Sequence, residues 1–313
     1  MDILVTYDYG KERINKLEEL GYNVILRKEK NLEYSEELKN VEILICYNPF
    51  KTLDIDKLKN LKWIQLSSVG IDQLPKDKFN NRDILITNNK GGYSKPMGEW
   101  IVLNILEIIK RKKTIYKNQL NNKWHMVKNL TEIVDKKILF LGTGTIATEG
   151  AKRLQGFECR VDGMNRSGDL KKYFENVYSV NNIMDILNEY DVIISTLPST
   201  DKTYHFINNK FFNKMKDSSI FINISRGDVV DQNALINHIK SGKFKGIALD
   251  VFENEPLNKD SELWDFENVY ISCHNSWISD RKDDRRFEII YENLKRFKEN
   301  KDLKNIVSVE RGY

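Results

Sequence analysis

Gly142-Thr143-Gly144-Thr145-Ile146-Ala147 follows directly on the apolar run Lys137-Ile138-Leu139-Phe140-Leu141 and opens a helix-like segment, Ile146–Leu154. A G-x-G-x-x-G/A run between a strand and a helix points to a dinucleotide. Gly142 permits the tight turn, Gly144 lets backbone approach a pyrophosphate, and Ala147 is small enough for close helix–strand packing. Thr143, Thr145 and Ile146 belong to the helix N-terminus, whose N–H groups and dipole favour an anion. The plainer alternative is an ordinary tight turn between strand and helix.

The following apolar strand, Arg160-Val161-Asp162-Gly163-Met164, ends in Asn165-Arg166-Ser167. At this place an NAD-binding unit carries an acidic residue for the ribose hydroxyls. A cation and a hydroxyl stand there instead, which suits the 2′-phosphate of NADP. Asp162, inside the strand, is the rival ribose ligand; on that alternative Arg166 is a solvated loop residue.

Three more groups stand at strand ends. Phe221-Ile222-Asn223-Ile224 delivers Ser225-Arg226-Gly227, Ile247-Ala248-Leu249 delivers Asp250 through Pro256 with Glu255, and Val269–Cys273 delivers His274-Asn275-Ser276-Trp277. Singly, Arg226 reads as a surface ion pair, Glu255 as a loop carboxylate and His274 as a histidine satisfied by backbone. Gathered on one rim beside a dinucleotide loop, they suit hydride transfer to a carbonyl, with a guanidinium, a proton donor and an orienting carboxylate. The other histidines, His125, His205 and His238, read as surface or core residues.

The elements that must position these groups alternate from the first residue. Strand patterns at 3–7, 22–26, 43–46, 63–66 and 84–87, with a helix pattern at 11–20, make a first parallel α/β unit. The stretch Lys90–Pro96 leads into a helix over 97–112 and reads as an interdomain crossing. A second unit then alternates strands at 137–141, 160–164, 192–197, 220–224, 246–251 and 269–272 with helices at 146–154, 183–187 and 234–239. A last amphipathic segment, 280–301, is long enough to return to the first unit. The charge run Arg281–Arg286 reads as a solvated helix face rather than a contact patch. The expected fold is α/β: a substrate domain (1–94 plus 282–313) and a dinucleotide-binding domain (95–281), each a doubly wound parallel sheet, with a cleft between them.

Composition sets the class. The 313 residues carry 50 Lys and Arg against 46 Asp and Glu, a net charge of +4, so neither nucleic-acid nor membrane steering is indicated. Cys46, Cys159 and Cys273 have no C-x-x-C spacing, which suggests neither a disulfide framework nor a metal site. No export signal or membrane-length apolar run is visible, so the chain is expected in the cytoplasm.

Taken together, the GxGxxA loop, the Asn-x-Ser-Arg-Gly segment 223–227, the Asp-Val-Phe-Glu-x-Glu-Pro segment 250–256 and the strand-end His274 resemble the D-isomer-specific 2-hydroxyacid dehydrogenase family. The resemblance extends over nearly the whole chain: Leu66-Ser67-Ser68-Val69-Gly70-Ile71-Asp72 resembles the family's substrate loop, and Thr87–Ser94 its crossing segment. It implies a flavodoxin-like substrate domain and a Rossmann coenzyme domain. It further implies that Arg226 holds the substrate carboxylate and polarises the keto oxygen, that His274 donates the proton with Glu255 as its partner, and that backbone N–H groups in the Ser68-Val69-Gly70 loop bind the carboxylate. Asp250 would contact the nicotinamide carboxamide, and Leu197-Pro198-Ser199 would line the nicotinamide side. Gly98, Trp100 and Trp277 depart from the family's more frequent residues and bear on substrate selectivity. The resemblance and the apolar residues Ile101, Val102, Ile105 and Ile108 suggest a homodimer.

The expected activity is therefore reduction of a small 2-keto acid to the D-2-hydroxy acid, reversibly, with NADPH preferred and NAD possible. The alternatives are a cofactor-sensing regulator on the same fold, and an NAD-dependent dehydrogenase of another small acid such as formate.

Overall fold

The computed structural model describes residues 1–79, 83–310 and 312. The chain divides into two compact units, Met1–Tyr93 with Ser279–Tyr313, and Ser94–Ile278. In chain order, the first unit contains β1 (Asp2–Val5), α1 (Lys11–Glu19), β2 (Asn23–Leu26), β3 (Val41–Cys46), β4 (Trp63–Leu66) and β5 (Leu85–Thr87). The second contains α2 (Ser94–Ile109), α3 (Lys112–Leu120), β6 (Lys137–Leu141), α4 (Thr145–Leu154), β7 (Arg160–Asn165), β8 (Val177–Ser179), β9 (Val192–Ser195), α5 (Asn209–Lys214), β10 (Ser219–Asn223), α6 (Gln232–Lys240), β11 (Phe244–Leu249) and β12 (Val269–Ile271). The last helix, α7 (Lys282–Lys298), belongs to the first unit.

Both sheets are parallel. The first runs β2-β1-β3-β4-β5, the flavodoxin-like order, and the second β12-β11-β10-β9-β6-β7-β8, the dinucleotide-binding order with a seventh strand. Strands buried on both faces need apolar residues at every position, which is why they read as continuous β-branched runs. In the first unit Leu4, Leu44, Ile64 and Ile86 serve one core. Their neighbours Ile3, Val5, Ile43, Ile45 and Trp63 point the other way, onto Leu17 of α1 and Phe287, Ile290 and Leu294 of α7.

Several elements differ from the sequence reading. The helix expected at 183–187 is instead two 3-10 turns, Val180–Asp185 and Leu187–Glu189; Ser179 caps the first by accepting the Asn181 N–H, and the asparagines there disfavour a longer helix. The 97–112 helix starts earlier, at Ser94, and Arg111 in the left-handed region separates it from α3. Neither α3, α5 nor β8 was legible from periodicity. The charge run 281–286 is not a solvated face. Arg286 is 8% exposed, 4.1 Å above the Tyr7 ring, and bonded to Asp283 at 2.8 Å. Asp284 pairs with Arg13, and Arg285 donates to the Gly92 carbonyl at 3.1 Å, so the run fastens α7 within its unit.

The apolar face of α2 also has a different destination from an interface. Ile101, Ile105 and Ile108 are buried among Phe140, Ala147, Ala151 and Ile194 of the same unit, with Trp100 and Val102 packed against that core. Fully burying each isoleucine is worth about 1.5–3 kcal/mol, which suffices to account for the pattern. A Cβ on Gly98 would lie 2.9 Å from the Glu149 carbonyl carbon and 3.0 Å from the Gly150 nitrogen. Glycine there lets α2 lie directly on α4, and Trp100 packs, partly buried, against this core.

Asp162 is fully buried in the middle of β7. Its carboxylate accepts the Tyr190 hydroxyl at 2.7 Å, Arg160 Nε at 2.8 Å and the Asn176 N–H at 2.9 Å. Removing it strands the buried Tyr190 hydroxyl. Asp162→Ala should therefore cost about 2–4 kcal/mol in urea unfolding, the range for opening a buried charged network; a loss under 0.5 kcal/mol would contradict this assignment.

Candidate active site

The first strand-to-helix junction of the second unit sits where the strand order reverses, between β6 and β9, the place at which such sheets bind ligands. Gly142 has φ +102°, and its N–H donates to the Met164 carbonyl at 2.9 Å. A Cβ there would fall 2.7 Å from Thr196 Oγ1 and 3.3 Å from the Thr196 carbonyl oxygen, so the turn requires glycine twice over. Gly144 precedes α4 with no side chain capping the helix, and a Cβ on it would meet nothing within 4 Å. The open N-terminus is what a pyrophosphate needs. Ala147 is wholly buried beneath it, Ile146 packs against the same core, and Thr145 Oγ1 accepts the Ser94 hydroxyl at 2.8 Å.

Asn165 ends β7 and organises the loop beyond it. Its Oδ1 accepts the N–H groups of Ser167 (3.1 Å) and Gly168 (2.6 Å), while Nδ2 donates to the Asp169 carbonyl (2.8 Å) and to Thr143 Oγ1 (3.2 Å). The last bond joins this loop to the glycine loop. Arg166 and Ser167 are exposed. Asp162 is not at the rim at all: its carboxylate is buried and occupied, which removes it as the rival ribose ligand.

Three strand ends of the same sheet carry the candidate chemistry. Asn223, at the end of β10 and 1% exposed, takes the Ser225 hydroxyl at 2.8 Å and donates to the Arg226 carbonyl at 3.0 Å, shaping the turn that bears Arg226. Beyond β11, Glu255 Oε1 accepts the Phe252 N–H at 3.0 Å and Oε2 lies 2.7 Å from His274 Nδ1. Burial pushes the Glu255 carboxyl up, but the hydrogen bonds from His274 and Phe252 and the charges of His274 and Arg226 outweigh it and hold it below the usual carboxylate value. The His274 side chain remains 41% exposed, so it is open to a ligand.

His274 stands at φ +52°, a conformation held by its surroundings. Its N–H donates to the Asp250 carbonyl at 2.8 Å, and the Trp277 indole donates to the His274 carbonyl at 2.8 Å. Trp277 thus closes the turn. The Asp250 carboxylate, with no exposure, takes the Ser272 hydroxyl at 2.6 Å and the N–H groups of Asn275 (3.0 Å) and Ser276 (3.1 Å).

Sequence reasoning missed the group that staples these loops together. His205 Nε2 lies 2.5 Å from Glu253 Oε1, and the His205 N–H donates to the Asp228 carbonyl at 2.8 Å. Asp228 accepts the Ser199 hydroxyl at 2.6 Å. The signal was the second carboxylate in Glu253-Asn254-Glu255, to which no role was given. A Cβ on Gly227 would lie 1.8 Å from the Phe252 carbonyl carbon, so only glycine lets the Arg226 turn meet the Glu255 loop. Leu197 is 9% exposed within the core and Pro198 is exposed, so of the 197–199 run Leu197 serves packing.

In the first unit, the loop after β4 has every carbonyl turned inward. Ser67 accepts the Tyr93 hydroxyl (2.5 Å), Ser68 the Asn89 N–H (2.8 Å), Val69 the Asn88 amide (2.7 Å) and Gly70 the Ser68 hydroxyl (2.8 Å). The N–H groups of Val69 and Gly70 donate to none of the described residues. Adjacent unpaired N–H groups make an anion-binding concavity. Among the described residues no three His, Cys, Asp or Glu side chains gather to hold a metal, and no helix is long and apolar enough to cross a membrane.

Residues 102–276 match the family model for the D-isomer specific 2-hydroxyacid dehydrogenase, NAD binding domain. The chain is 32% identical over 285 residues to a probable 2-ketogluconate reductase of Dictyostelium discoideum, covering 87% of this chain and 84% of that one. It is 31% identical over 288 residues to a glyoxylate reductase of Thermofilum pendens, with the same coverage of 87% and 84%. A crystal structure of a D-isomer specific 2-hydroxyacid dehydrogenase family protein from Aeromonas salmonicida superposes with a TM-score of 0.82 at 26% identity, over 98% of both chains. One from Xanthobacter autotrophicus, in complex with NADPH and MES, gives 0.85 at 23% identity over 100% and 99%.

The His274–Glu255 pair has a defined pH signature. Because the Glu255 carboxyl is held below 4.5, its acceptor is complete above that value and is lost only as pH falls through the lowered one. Rate profiles of the wild type should therefore show an acid limb only below pH 4.5. His274→Gln should lose at least ~10²-fold in rate; a variant with the wild-type rate and profile would remove His274 from the chemistry.

Proposed function

The chain belongs to the D-isomer-specific 2-hydroxyacid dehydrogenase family, and from that premise we propose that it reduces a small 2-keto acid to the D-2-hydroxy acid, reversibly and with NADPH preferred. The observation that carries this reading is the 2.7 Å contact between Glu255 and His274, within the influence of the Arg226 charge. When bound, the nicotinamide cofactor supplies the hydride.

The protein's part is to hold and to move a proton. Glu255 accepts from Nδ1 of His274 and fixes the ring, leaving Nε2 to give its proton to the oxygen of the reacting carbonyl. Arg226 takes the substrate carboxylate and polarises the keto oxygen, a planar fork suited to both. In the first unit, the N–H groups of Val69 and Gly70, with Ser68 shaping their loop, form an anion-binding concavity suited to a carboxylate. Gly142, Thr143, Gly144, Thr145 and Ile146 hold the pyrophosphate, and Asn165, Arg166 and Ser167 hold the ribose with its 2′-phosphate. Pro198, Ser199 and Asp250 border the nicotinamide. Relatives named for glyoxylate and 2-ketogluconate reduction support 2-keto acids as the substrate class.

The partner surface is proposed to be a second copy of the chain. The α2 face is used up in its own core, but Leu120 at the end of α3 (84% exposed) and Trp124 (104%) and Met126 (74%) just beyond it are large apolar side chains that a monomer leaves in water. The three cysteines are free, which supports a reducing, cytoplasmic setting.

A panel of 2-keto acids assayed with NADPH and with NADH tests the central reading. Turnover of one or more keto acids, with kcat/KM roughly ten- to hundredfold higher for NADPH at low salt, is expected from a charge-assisted Arg166–phosphate bond; equal turnover of a keto acid and its methyl ester would reject the role of Arg226. Arg226→Lys should turn over poorly because an ammonium cannot grip a carboxylate with two parallel bonds. Light scattering at micromolar protein should give about twice the 36.8 kDa chain mass, and a monomer mass would reject the dimer.

A further inference from the structure

The loop beyond β7 carries charge of both signs. Arg166 is exposed, and its guanidinium bonds to none of the described residues. Asp169, also exposed, accepts the Ser167 hydroxyl on Oδ2 at 2.6 Å. This carboxylate is anchored: the Asp169 carbonyl takes the Asn165 amide at 2.8 Å, and the same amide reaches Thr143 of the glycine loop at 3.2 Å. Ser167 is thus already engaged, and the group engaging it is an anion.

That geometry has opposite consequences for the two nicotinamide cofactors. A 2′-phosphate that takes the Ser167 hydroxyl must break a charge-assisted bond and set its own negative charge beside Asp169. A free 2′-hydroxyl meets an acceptor instead. Asp162, the other acidic residue of this region, is buried and occupied by Tyr190 and Arg160. Resting on the NADPH reading above, we propose that Asp169 is a cofactor-specificity residue: it supplies the ribose carboxylate that the end of β7 lacks, opposes the 2′-phosphate that Arg166 attracts, and keeps NADH usable by this enzyme.

The test is a binding measurement on the intact protein. Dissociation constants for NADP⁺ and NAD⁺, and for the fragments 2′,5′-ADP and 5′-AMP, are measured by calorimetry for the wild type, Asp169→Asn and Arg166→Ala. Asparagine keeps the shape and one acceptor oxygen while removing the charge and turning the other oxygen into an NH2 donor. Asp169→Asn should tighten NADP⁺ and 2′,5′-ADP at least about threefold while changing NAD⁺ and 5′-AMP less than twofold, and the gain should shrink as salt rises. Asp169→Ala, which also deletes the acceptor, should weaken NAD⁺. An unchanged NADP⁺-to-NAD⁺ ratio in Asp169→Asn overturns the proposal. Arg166→Ala decides the underlying reading separately: weaker NADP⁺ binding supports it and unchanged binding refutes it, whatever Asp169→Asn has shown.

Discussion

The buried carboxylate of Asp250 holds the turn on which the proposed chemistry depends. It stands just past β11, where a parallel strand delivers it to the rim, and spends its hydrogen bonds on residues 272–276. His274 sits in the left-handed region, which costs an ordinary residue roughly 1–2 kcal/mol. Hydrogen bonds to a charged group are worth about 1.5–3 kcal/mol each, and several of them close on this one turn, so the strained conformation is the favoured one. The ring is thereby aimed at Glu255 before any ligand arrives.

A second constraint brings the partners of that ring to it. Arg226 and Glu255 lie on separate loops that meet only because Gly227 has no side chain, with the Phe252 backbone in the space a Cβ would take. The His205–Glu253 contact then ties a third loop to the same place, and Ser199 joins through Asp228. Each loop is irregular, yet each leaves the end of a buried strand and is braced by a polar contact. Such cross-bracing lets loops hold groups to the tolerance that proton transfer demands.

Charge is used differently at the cofactor end. The Glu255–His274 pair is partly buried and its bonds shift the carboxyl down, whereas the loop after β7 is exposed and its charges are screened. The proposed chemistry is therefore held stiffly, and the proposed discrimination between cofactors rests on modest, salt-sensitive terms. Asn165 is the hinge of that loop, since one side chain bonds both the turn ahead of it and the glycine loop behind it.

Whatever depends on local chemistry and on strand direction is already written in the order of the residues. A strand running into Gly142-Thr143-Gly144 can make only a few turns, and in a parallel sheet every strand's carboxyl end faces one rim, so Arg226, Glu255 and His274 were legible as one group from their places after three strands. What depends on the third dimension was not. Apolar residues at 101, 105 and 108 look the same whether they face a core or a partner, and only the packing against Phe140 and Ala151 assigns them. Asp162 is as acidic as a ribose ligand, but Tyr190 and Arg160 reach it from distant elements and bury it. The His205–Glu253 brace, and the Val69 and Gly70 N–H groups that donate to none of the described residues, were likewise illegible, because hydrogen-bond accounts close only when the fold brings the last partner in.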